Sequence, residues 1–419
     1  MLDLEPESAS GFLRAIRRFG WGLSDQALSS LTNFALGLLV ARSVSITALG
    51  VFALAFSTYL IALSVSRVFS TDPLVIRYSA CSEQEWQWAS RAGTGTAAVI
   101  GAVSGTVVAL VGWMVGGPTG VTFAVLGASL PGLLIQDAWR FAFFARSKGS
   151  QAFLNDLIWG LGLIALFPFV LSTGRDSVAW LTAAWGAAAS VAAVAGAIQA
   201  RLVPAPRRAR GWYQGNRDLS IPFFGEALVN HGAVNLGAYL IAAISGLAAL
   251  GALRAATILL GPATMMVMGL GLVAVPEGAR GLAHSLRRLR RTGIAVSSAA
   301  SACVLAWGLV MFLLPARIGS ELLGADWDEA HSLLIPLTIA AAAGGAALGA
   351  ASGLRTLQAA GRVLWTRIVE AVIVLSVAVT GAVVGGAPAI ARAAVIGHTL
   401  IAVVWWRQFG KTLRGRHLA

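Results

Sequence analysis

Residues 48–70 read ALGVFALAFSTYLIALSVSRVFS, an apolar run in which Arg67 is the only charged residue. At about 1.5 Å of rise per residue, a helix of this length crosses the roughly 30 Å hydrocarbon core of a bilayer. Eleven further runs of similar length lie on either side of it along the chain. With 57% hydrophobic and 12% charged residues, no stretch is large enough for a separate water-soluble domain. The sequence therefore predicts an all-α integral membrane protein of about twelve transmembrane helices.

The predicted helices divide equally between the two halves of the chain. We expect an N-terminal six-helix lobe at residues 1–200 and a C-terminal six-helix lobe at residues 219–406. A basic cytoplasmic linker at residues 201–218 joins them, and a basic cytoplasmic tail follows at residues 407–419.

The net charge of +13 is spread over the short loops between the apolar runs. A nucleic-acid-binding protein concentrates its basic residues on one folded face, so this pattern excludes nucleic acid as a partner. With the N-terminus inside, 26 of the 31 Lys and Arg residues lie on the cytoplasmic side. Cytoplasmic loops retain the excess of positive charge. We therefore expect both termini in the cytoplasm and, from the Ala-, Gly- and Arg-rich usage, a bacterial inner (plasma) membrane location.

A shift of about 200 residues places the seventh predicted helix on the first. The matched positions are Gln26, Ala27, Leu28, Ser30 and Gly37 with Glu226, Ala227, Leu228, Asn230 and Gly237, then Ala48, Leu49 and Gly50 with Ala249, Leu250 and Gly251. Since six helices separate the copies, both have the same orientation, and the two lobes would be related by a pseudo-twofold axis along the membrane normal. The match is short and rich in common membrane residues, so chance similarity is the alternative. Two such lobes would enclose a central cavity that opens to either side in turn.

Polar residues interrupt the first and seventh predicted helices at helical spacing. They are the candidate cavity-lining and ion-coupling residues: Asp25, Asn33, Glu226, Asn230, His231 and Asn235. Ionisable groups at membrane depth are costly unless they are paired or hydrated, which makes each a functional candidate. The alternatives are that Asp25 and Glu226 reach water near the helix ends and that the deeper residues form hydrogen bonds between helices.

Among the cations, Arg254 is the only one well inside a predicted helix, about six residues or 9 Å from its outer end. A guanidinium in that position favours a phosphate or carboxylate partner. Arg42 and Arg67 lie nearer to helix ends, where the alternative is that they extend to the lipid headgroups.

The chain contains no ATP-binding loop, no HExxH zinc motif and no nucleophile elbow. Its two cysteines, Cys81 and Cys303, have no predicted partner on the same side of the membrane. We therefore expect a protein that is not an enzyme and that has no metal site and no cofactor.

Two segments of the sequence carry a family resemblance. The first contains Asp25–Gly37, Val40–Arg42 and Ala48–Ala55, and the second is Ala252–Pro262. Both resemble the corresponding parts of bacterial polysaccharide flippases of the O-antigen and capsule type. Such flippases belong to the MOP exporter superfamily, which also contains the multidrug and toxin extrusion (MATE) transporters and the lipid II flippases. The resemblance implies a MATE-like fold of two six-helix lobes. It also implies translocation of a polyprenyl-pyrophosphate-linked oligosaccharide from the cytoplasmic to the outer leaflet by alternating access.

The resemblance further assigns the pyrophosphate to Arg42 and Arg254 and, more weakly, to Arg67. Without an ATP-binding motif, transport would draw energy from an ion gradient of Na⁺ or H⁺, from the membrane potential or from the substrate gradient, and the sequence leaves these three open. Membrane lipid and the glycosyltransferases or polymerase of the same pathway would be partners. Because the chain lacks the extra helix pair of lipid II flippases, lipid II itself is disfavoured as the transported molecule.

Two other functions fit the same composition. A cation-coupled multidrug exporter would use Asp25 and Glu226 as proton or sodium sites, but Arg42 and Arg254 count against it. A membrane glycosyltransferase or polymerase would act on the same lipid-linked sugars. Its large outer loop has no counterpart here, where the longest predicted outer loop is about residues 316–331.

Overall fold

The computed structural model describes residues 9–175 and 177–417. For residues 9–20, 22–23, 230–231 and 417 it describes the backbone only. Within these ranges the chain is helical and contains no β-strand. Twelve long helices are present when the breaks at Gly246 and at Gly385–Gly386 are counted as helix ends. Their bounds are α1 Ala9–Ser43, α2 Ile46–Tyr78, α3 Glu83–Val115, α4 Gly117–Ala145, α5 Gly149–Ser172, α6 Val178–Ala200, α7 209–245, α8 247–284, α9 Leu286–Phe312, α10 Trp327–Thr356, α11 360–384 and α12 387–417. Helix α8 is interrupted at Leu260, between a segment that ends at Leu259 and one that begins at Gly261.

Ten helical segments of the described chain are long and apolar enough to cross a membrane. The last of them, Ala360–Arg416, contains both α11 and α12. Polar residues such as Asp25 and Asn33 interrupt α1, which is not among the ten. The prediction of an all-helical, multi-pass membrane protein is confirmed.

Glycine marks two of the helix breaks. Gly246 between α7 and α8 has φ +86°, and Gly386 between α11 and α12 has φ +64°. Side chains disfavour this left-handed region because the Cβ atom collides with the backbone, whereas glycine enters it freely. At both breaks, the residue in the left-handed region is therefore glycine, which adopts this conformation without strain.

Two helices contain a widened π-helical turn, and short helical pieces fill two connections. The π turns are Arg67–Thr71 in α2 and Leu228–Gly232 in α7. The short pieces are a 3₁₀ turn at Pro206–Arg208 before α7, the helix Ala316–Leu323 before α10, and the 3₁₀ turn Gly324–Asp326 that follows it. Single π turns inside α-helices are frequent at functional sites.

The chain forms two compact units. The first unit consists of the described residues up to Leu36 and of Tyr59–Gly225. The second unit consists of Gly37–Thr58 and of the described residues from Glu226 onward. Residues 37–58, at the end of α1 and the start of α2, thus group with the second unit. The division into six-helix lobes at residues 1–200 and 219–406 stays a prediction.

Within the first unit, α3 and α4 approach closely through glycines. A Cβ atom built on Gly105 would lie 2.3 Å from the carbonyl oxygen of Gly127, and one on Gly112 would lie 2.5 Å from that of Gly120. Small residues allow membrane helices to approach in the absence of a hydrophobic driving force between them. These glycines therefore have a packing role.

Within the second unit, the repeated segment makes a reciprocal contact. A Cβ atom on Gly50 would lie 2.0 Å from the carbonyl oxygen of Leu247, and one on Gly251 would lie 1.9 Å from that of Ile46. Gly50 and Gly251 are matched positions of the predicted repeat, and the same shift matches Ile46 with Leu247. A twofold relation between two copies produces this pattern, in which each copy makes the other's contact. The start of α2 and the start of α8 therefore support the repeat.

Candidate functional site

A buried cluster of charged residues lies inside the first unit. Asp25 of α1 is fully buried, and its Oδ2 accepts a hydrogen bond of 2.7 Å from Nε of Arg140 on α4. Oδ2 of Asp156 on α5 lies 3.3 Å from the same Nε atom. One guanidinium is therefore shared by carboxylates from two other helices.

Uncharged polar groups extend this cluster. Gln136 Nε2 donates to Asp156 Oδ1 at 2.8 Å and to Asn155 Oδ1 at 3.2 Å. Asn155 Nδ2 in turn donates to the carbonyl oxygen of Ala192 on α6 at 2.8 Å. The cluster thus joins α1, α4, α5 and α6. Oδ1 of Asp25 has no hydrogen-bond partner within the described part of the chain.

A second ion pair lies next to the cluster. Arg67 in the π turn of α2 donates from Nε to Asp137 Oδ2 at 3.0 Å and from an Nη atom to Asp137 Oδ1 at 2.7 Å. The Arg67 guanidinium also lies 5.0 Å from the ring centre of Phe141. Bidentate pairs of this kind are among the strongest in proteins. Counting both pairs, three carboxylates face two guanidiniums, which leaves a formal surplus of one negative charge.

Most of this cluster was missed by sequence reasoning. Asp137, Arg140 and Asp156 are not among the site residues predicted from the sequence. The signal was present, since all three fall inside apolar runs, where an ionisable residue is a candidate by default. Which helices face one another is not encoded in hydropathy, so their pairing could not be predicted.

Arg254, in the second unit, has surroundings different from those of Arg67 and Arg140. Arg254 of α8 is half-buried, and its guanidinium lies 4.7 Å from the ring centre of Phe56 on α2. Its Nε atom is buried and lacks a hydrogen-bond partner among the described residues. No carboxylate in residues 9–175 or 177–417 lies within ion-pair distance of it. Arg254 is therefore a cation inside an apolar helix without a compensating anion among the described residues.

Arg42 is the other cation of the second unit near this position. It is exposed in the last turn of α1 and forms no ion pair with a described carboxylate. Arg42 precedes Ile46 by four residues, and Arg254 follows Gly251 by three. Because Gly251 contacts Ile46, the chain segments that carry the two arginines lie side by side.

The remaining predicted site residues are placed as follows. Asn33 Nδ2 donates to the carbonyl oxygen of Ser29 on its own helix at 2.9 Å. Glu226 is exposed, whereas Asn235 is buried. The backbone of Asn230 and His231 forms part of the π turn of α7, and their side chains lie outside the description. The two acidic candidates therefore differ in exposure, since Asp25 is buried and Glu226 is exposed.

Within the described residues, no group of three or more His, Cys, Asp or Glu side chains could hold a metal ion. Cys81 and Cys303 are free thiols, and both are half-buried.

No protein-family model matches this chain. No curated protein matches it either.

Solved structures do match, over nearly the whole chain. One is the inward-facing conformation of a multidrug resistance MATE family transporter of the MOP superfamily, with TM-score 0.70, 13% identity, and coverage of 92% of this chain and 95% of that one. A second is lipid II flippase MurJ in an inward closed conformation, with TM-score 0.65, 11% identity, and coverage of 92% and 90%. A third is a MOP superfamily transporter from Pyrococcus furiosus whose binding pocket is described as having reverse polarity, with TM-score 0.59, 14% identity, and coverage of 96% and 95%.

At 11–14% identity these likenesses establish the fold. The chain is a multi-pass membrane protein with the MATE-like fold of the MOP superfamily transporters, as predicted. Its structural neighbours are transporters and a flippase rather than enzymes.

Proposed function

We propose that this protein moves a polyprenyl-pyrophosphate-linked oligosaccharide from the cytoplasmic to the outer leaflet for cell-surface polysaccharide synthesis. The observation that carries the proposal is Arg254, a half-buried cation with no carboxylate beside it in the described part of the chain. A charge at membrane depth costs several kcal/mol unless it is paired or hydrated. A bound phosphate group would supply the missing partner through charge-assisted hydrogen bonds.

Arg42 would supply the second positive charge, because one guanidinium does not balance a pyrophosphate. Both arginines are free of ion pairs with described carboxylates, and their chain segments lie side by side in the second unit. The sugar and pyrophosphate would cross in a polar environment while the prenyl chain stays in lipid. The barrier that the protein lowers is desolvation of the polar head.

The proposed pyrophosphate site does not include Arg67. Its guanidinium is held by both carboxylate oxygens of Asp137. To bind a pyrophosphate it would have to release that carboxylate into an apolar surrounding, which is unfavourable.

The first-unit cluster is the proposed place of ion coupling. Asp25, Asp137 and Asp156 face Arg67 and Arg140, so one negative charge is left over. We propose H⁺ rather than Na⁺ as the coupling ion, since the Arg140 guanidinium already occupies the space between Asp25 and Asp156. The glycosyltransferases or polymerase of the same pathway stay candidate partners, in a bacterial inner membrane with both termini cytoplasmic.

A cation-coupled multidrug exporter is the second candidate function. The buried carboxylates Asp25 and Asp156 favour it, as does the fold similarity to a multidrug resistance MATE family transporter. The pairing of both carboxylates with Arg140 counts against it, because a cationic drug would compete with a fixed guanidinium.

The test is transport in proteoliposomes that contain the purified full-length protein. Fluorescent undecaprenyl-pyrophosphate oligosaccharide is offered to the wild type, to Arg254→Met and to Arg254→Lys, with a cationic dye as the competing substrate. We expect facilitated crossing by the wild type, partial crossing with Arg254→Lys and none with Arg254→Met. Dye movement without lipid movement would replace the proposal with the exporter function.

A further inference from the structure

A groove of about 800 Å³ opens on the second unit, where α9, α10 and α12 meet. Its floor is formed by large apolar side chains, including Leu286, Trp406, Phe409 and Leu413. Trp406 Nε1 donates a hydrogen bond of 2.7 Å to the carbonyl oxygen of Ala346, which fixes the indole against α10. The apolar floor is therefore preformed.

The rim of the groove is cationic. Arg287 and Arg290 come from the first turns of α9, and Arg407 and Arg414 from the last turns of α12. All four are exposed, and none pairs with a carboxylate in the described part of the chain. Among the described residues, no Asp or Glu lines the groove. A neighbouring cavity of about 590 Å³ shares Arg287 and is lined by further arginines. The positive charge of this surface is therefore uncompensated.

The apolar and cationic parts of the groove follow one another along α12. The lining residues run from Thr399 to Arg414, a distance of about 22 Å along the helix axis. The Thr399 end is apolar, and the Arg414 end is cationic. With residues 387–417, α12 is about 46 Å long. The hydrocarbon core is roughly 30 Å thick, so the cationic end extends to the headgroup region.

We propose that this groove binds an anionic phospholipid of the surrounding bilayer, with its phosphate on the four arginines and an acyl chain on the apolar floor. Guanidinium forks match phosphate oxygens in charge and geometry. Basic pockets between membrane helices bind anionic headgroups in this way. A free phosphate would leave the apolar floor without a partner, and a zwitterionic lipid would bring its own cation next to four others. The inference does not rest on the proposed transport function.

Native mass spectrometry of the detergent-purified full-length protein tests the proposal. Phosphatidylglycerol and phosphatidylcholine with identical acyl chains are added in equal amounts. A groove variant carries four substitutions: Arg287→Gln, Arg290→Gln, Arg407→Gln and Arg414→Gln. A control variant with the same loss of charge carries four others: Arg207→Gln, Arg208→Gln, Arg210→Gln and Arg217→Gln.

We expect the wild type and the control variant to retain phosphatidylglycerol at least about tenfold better than phosphatidylcholine, and the groove variant to lose this preference. Equal retention of both lipids by the wild type, or an unchanged preference in the groove variant, would overturn the proposal. So would inorganic phosphate that displaces phosphatidylglycerol, since the site would then bind a free anion.

A second measurement needs no change of charge. Phosphatidylglycerol with brominated acyl chains should quench the fluorescence of Trp406, seen as the difference in quenching between the wild type and Trp406→Phe. The difference should be much smaller with brominated phosphatidylcholine. No difference with either lipid would show that the apolar floor is unoccupied.

Discussion

Arg67 and Arg140 of the first unit differ from Arg254 of the second unit in what balances their charge. In the first unit, Arg140 is paired with Asp25 and Asp156, and Arg67 with Asp137. In the second unit, Arg254 has the ring of Phe56 beside it and no described carboxylate. A balanced cation is part of the packed interior, and its removal exposes buried charge. An unbalanced cation contributes little to stability and is available to an anion from outside the protein.

The largest expected effect is the loss of stability in Arg140→Met. This substitution leaves Asp25 and Asp156 without a guanidinium, and removing one partner of a buried ion pair costs about 3–5 kcal/mol. Arg254→Met is the matched control. It removes a desolvated charge and one cation–π contact of about 0.5–2 kcal/mol, so the net change should be small. Thermal unfolding of both variants in the same detergent measures the difference, and equal losses would remove the distinction between the two units.

Neutralising the carboxylates should reverse most of that loss. The triple variant Arg140→Met, Asp25→Asn, Asp156→Asn replaces a buried ionic group by a neutral one, which is often tolerated in proteins. We expect it to recover roughly half or more of the 3–5 kcal/mol lost in Arg140→Met alone. A triple variant as unstable as the single one would show that shape, not charge, dominates at this position.

Asp137→Asn should leave Arg67 without its carboxylate partner, so that Arg67 resembles Arg254 of the second unit. It frees Arg67, whose side chain is about one-third exposed, so the cost is expected to be about 1–3 kcal/mol. The freed guanidinium should also add affinity for pyrophosphate in a binding titration. Unchanged stability and unchanged affinity would indicate that the Arg67–Asp137 pair contributes nothing measurable.

The smallest effect is expected from Phe56→Leu. It removes the aromatic ring 4.7 Å from the Arg254 guanidinium while retaining apolar volume. The loss should be about 0.5–1 kcal/mol, or a few-fold weaker binding of pyrophosphate. Phe141→Leu, next to the carboxylate-paired Arg67, is the control and should leave pyrophosphate binding unchanged. A larger effect from the control would mean that Arg67 contacts the ligand.

Hydropathy predicted the number of helices but not their ends. The C-terminal lobe, predicted to end at residue 406, continues as helix to residue 417, and α9 begins at Leu286, within the basic segment that precedes its apolar run. A helix satisfies its backbone hydrogen bonds internally and can continue past the membrane surface, so a change in hydropathy marks the membrane boundary and not the helix end. The cationic rim around Arg287 and Arg414 lies in these extensions.

A candidate site residue could be predicted from the sequence where the residue itself is unusual in its apolar surroundings. Arg254 could be identified because a cation in an apolar run is costly wherever its partners lie. The pairing of Arg67 with Asp137 could not be predicted, because it depends on how α2 packs against α4. That packing is set by side-chain shape across helices that are 70 residues apart in sequence.

The most direct test is the affinity of the detergent-purified protein for undecaprenyl pyrophosphate, measured by thermophoresis for the wild type, Arg254→Met and Arg254→Lys. Undecaprenol serves as the uncharged control ligand. The account predicts binding weaker by about tenfold or more in Arg254→Met, which corresponds to roughly 1.4 kcal/mol, and an intermediate value in Arg254→Lys. Undecaprenol should bind all three proteins equally. Equal affinity of the wild type and Arg254→Met for the pyrophosphate would contradict the assignment of Arg254 as its binding residue.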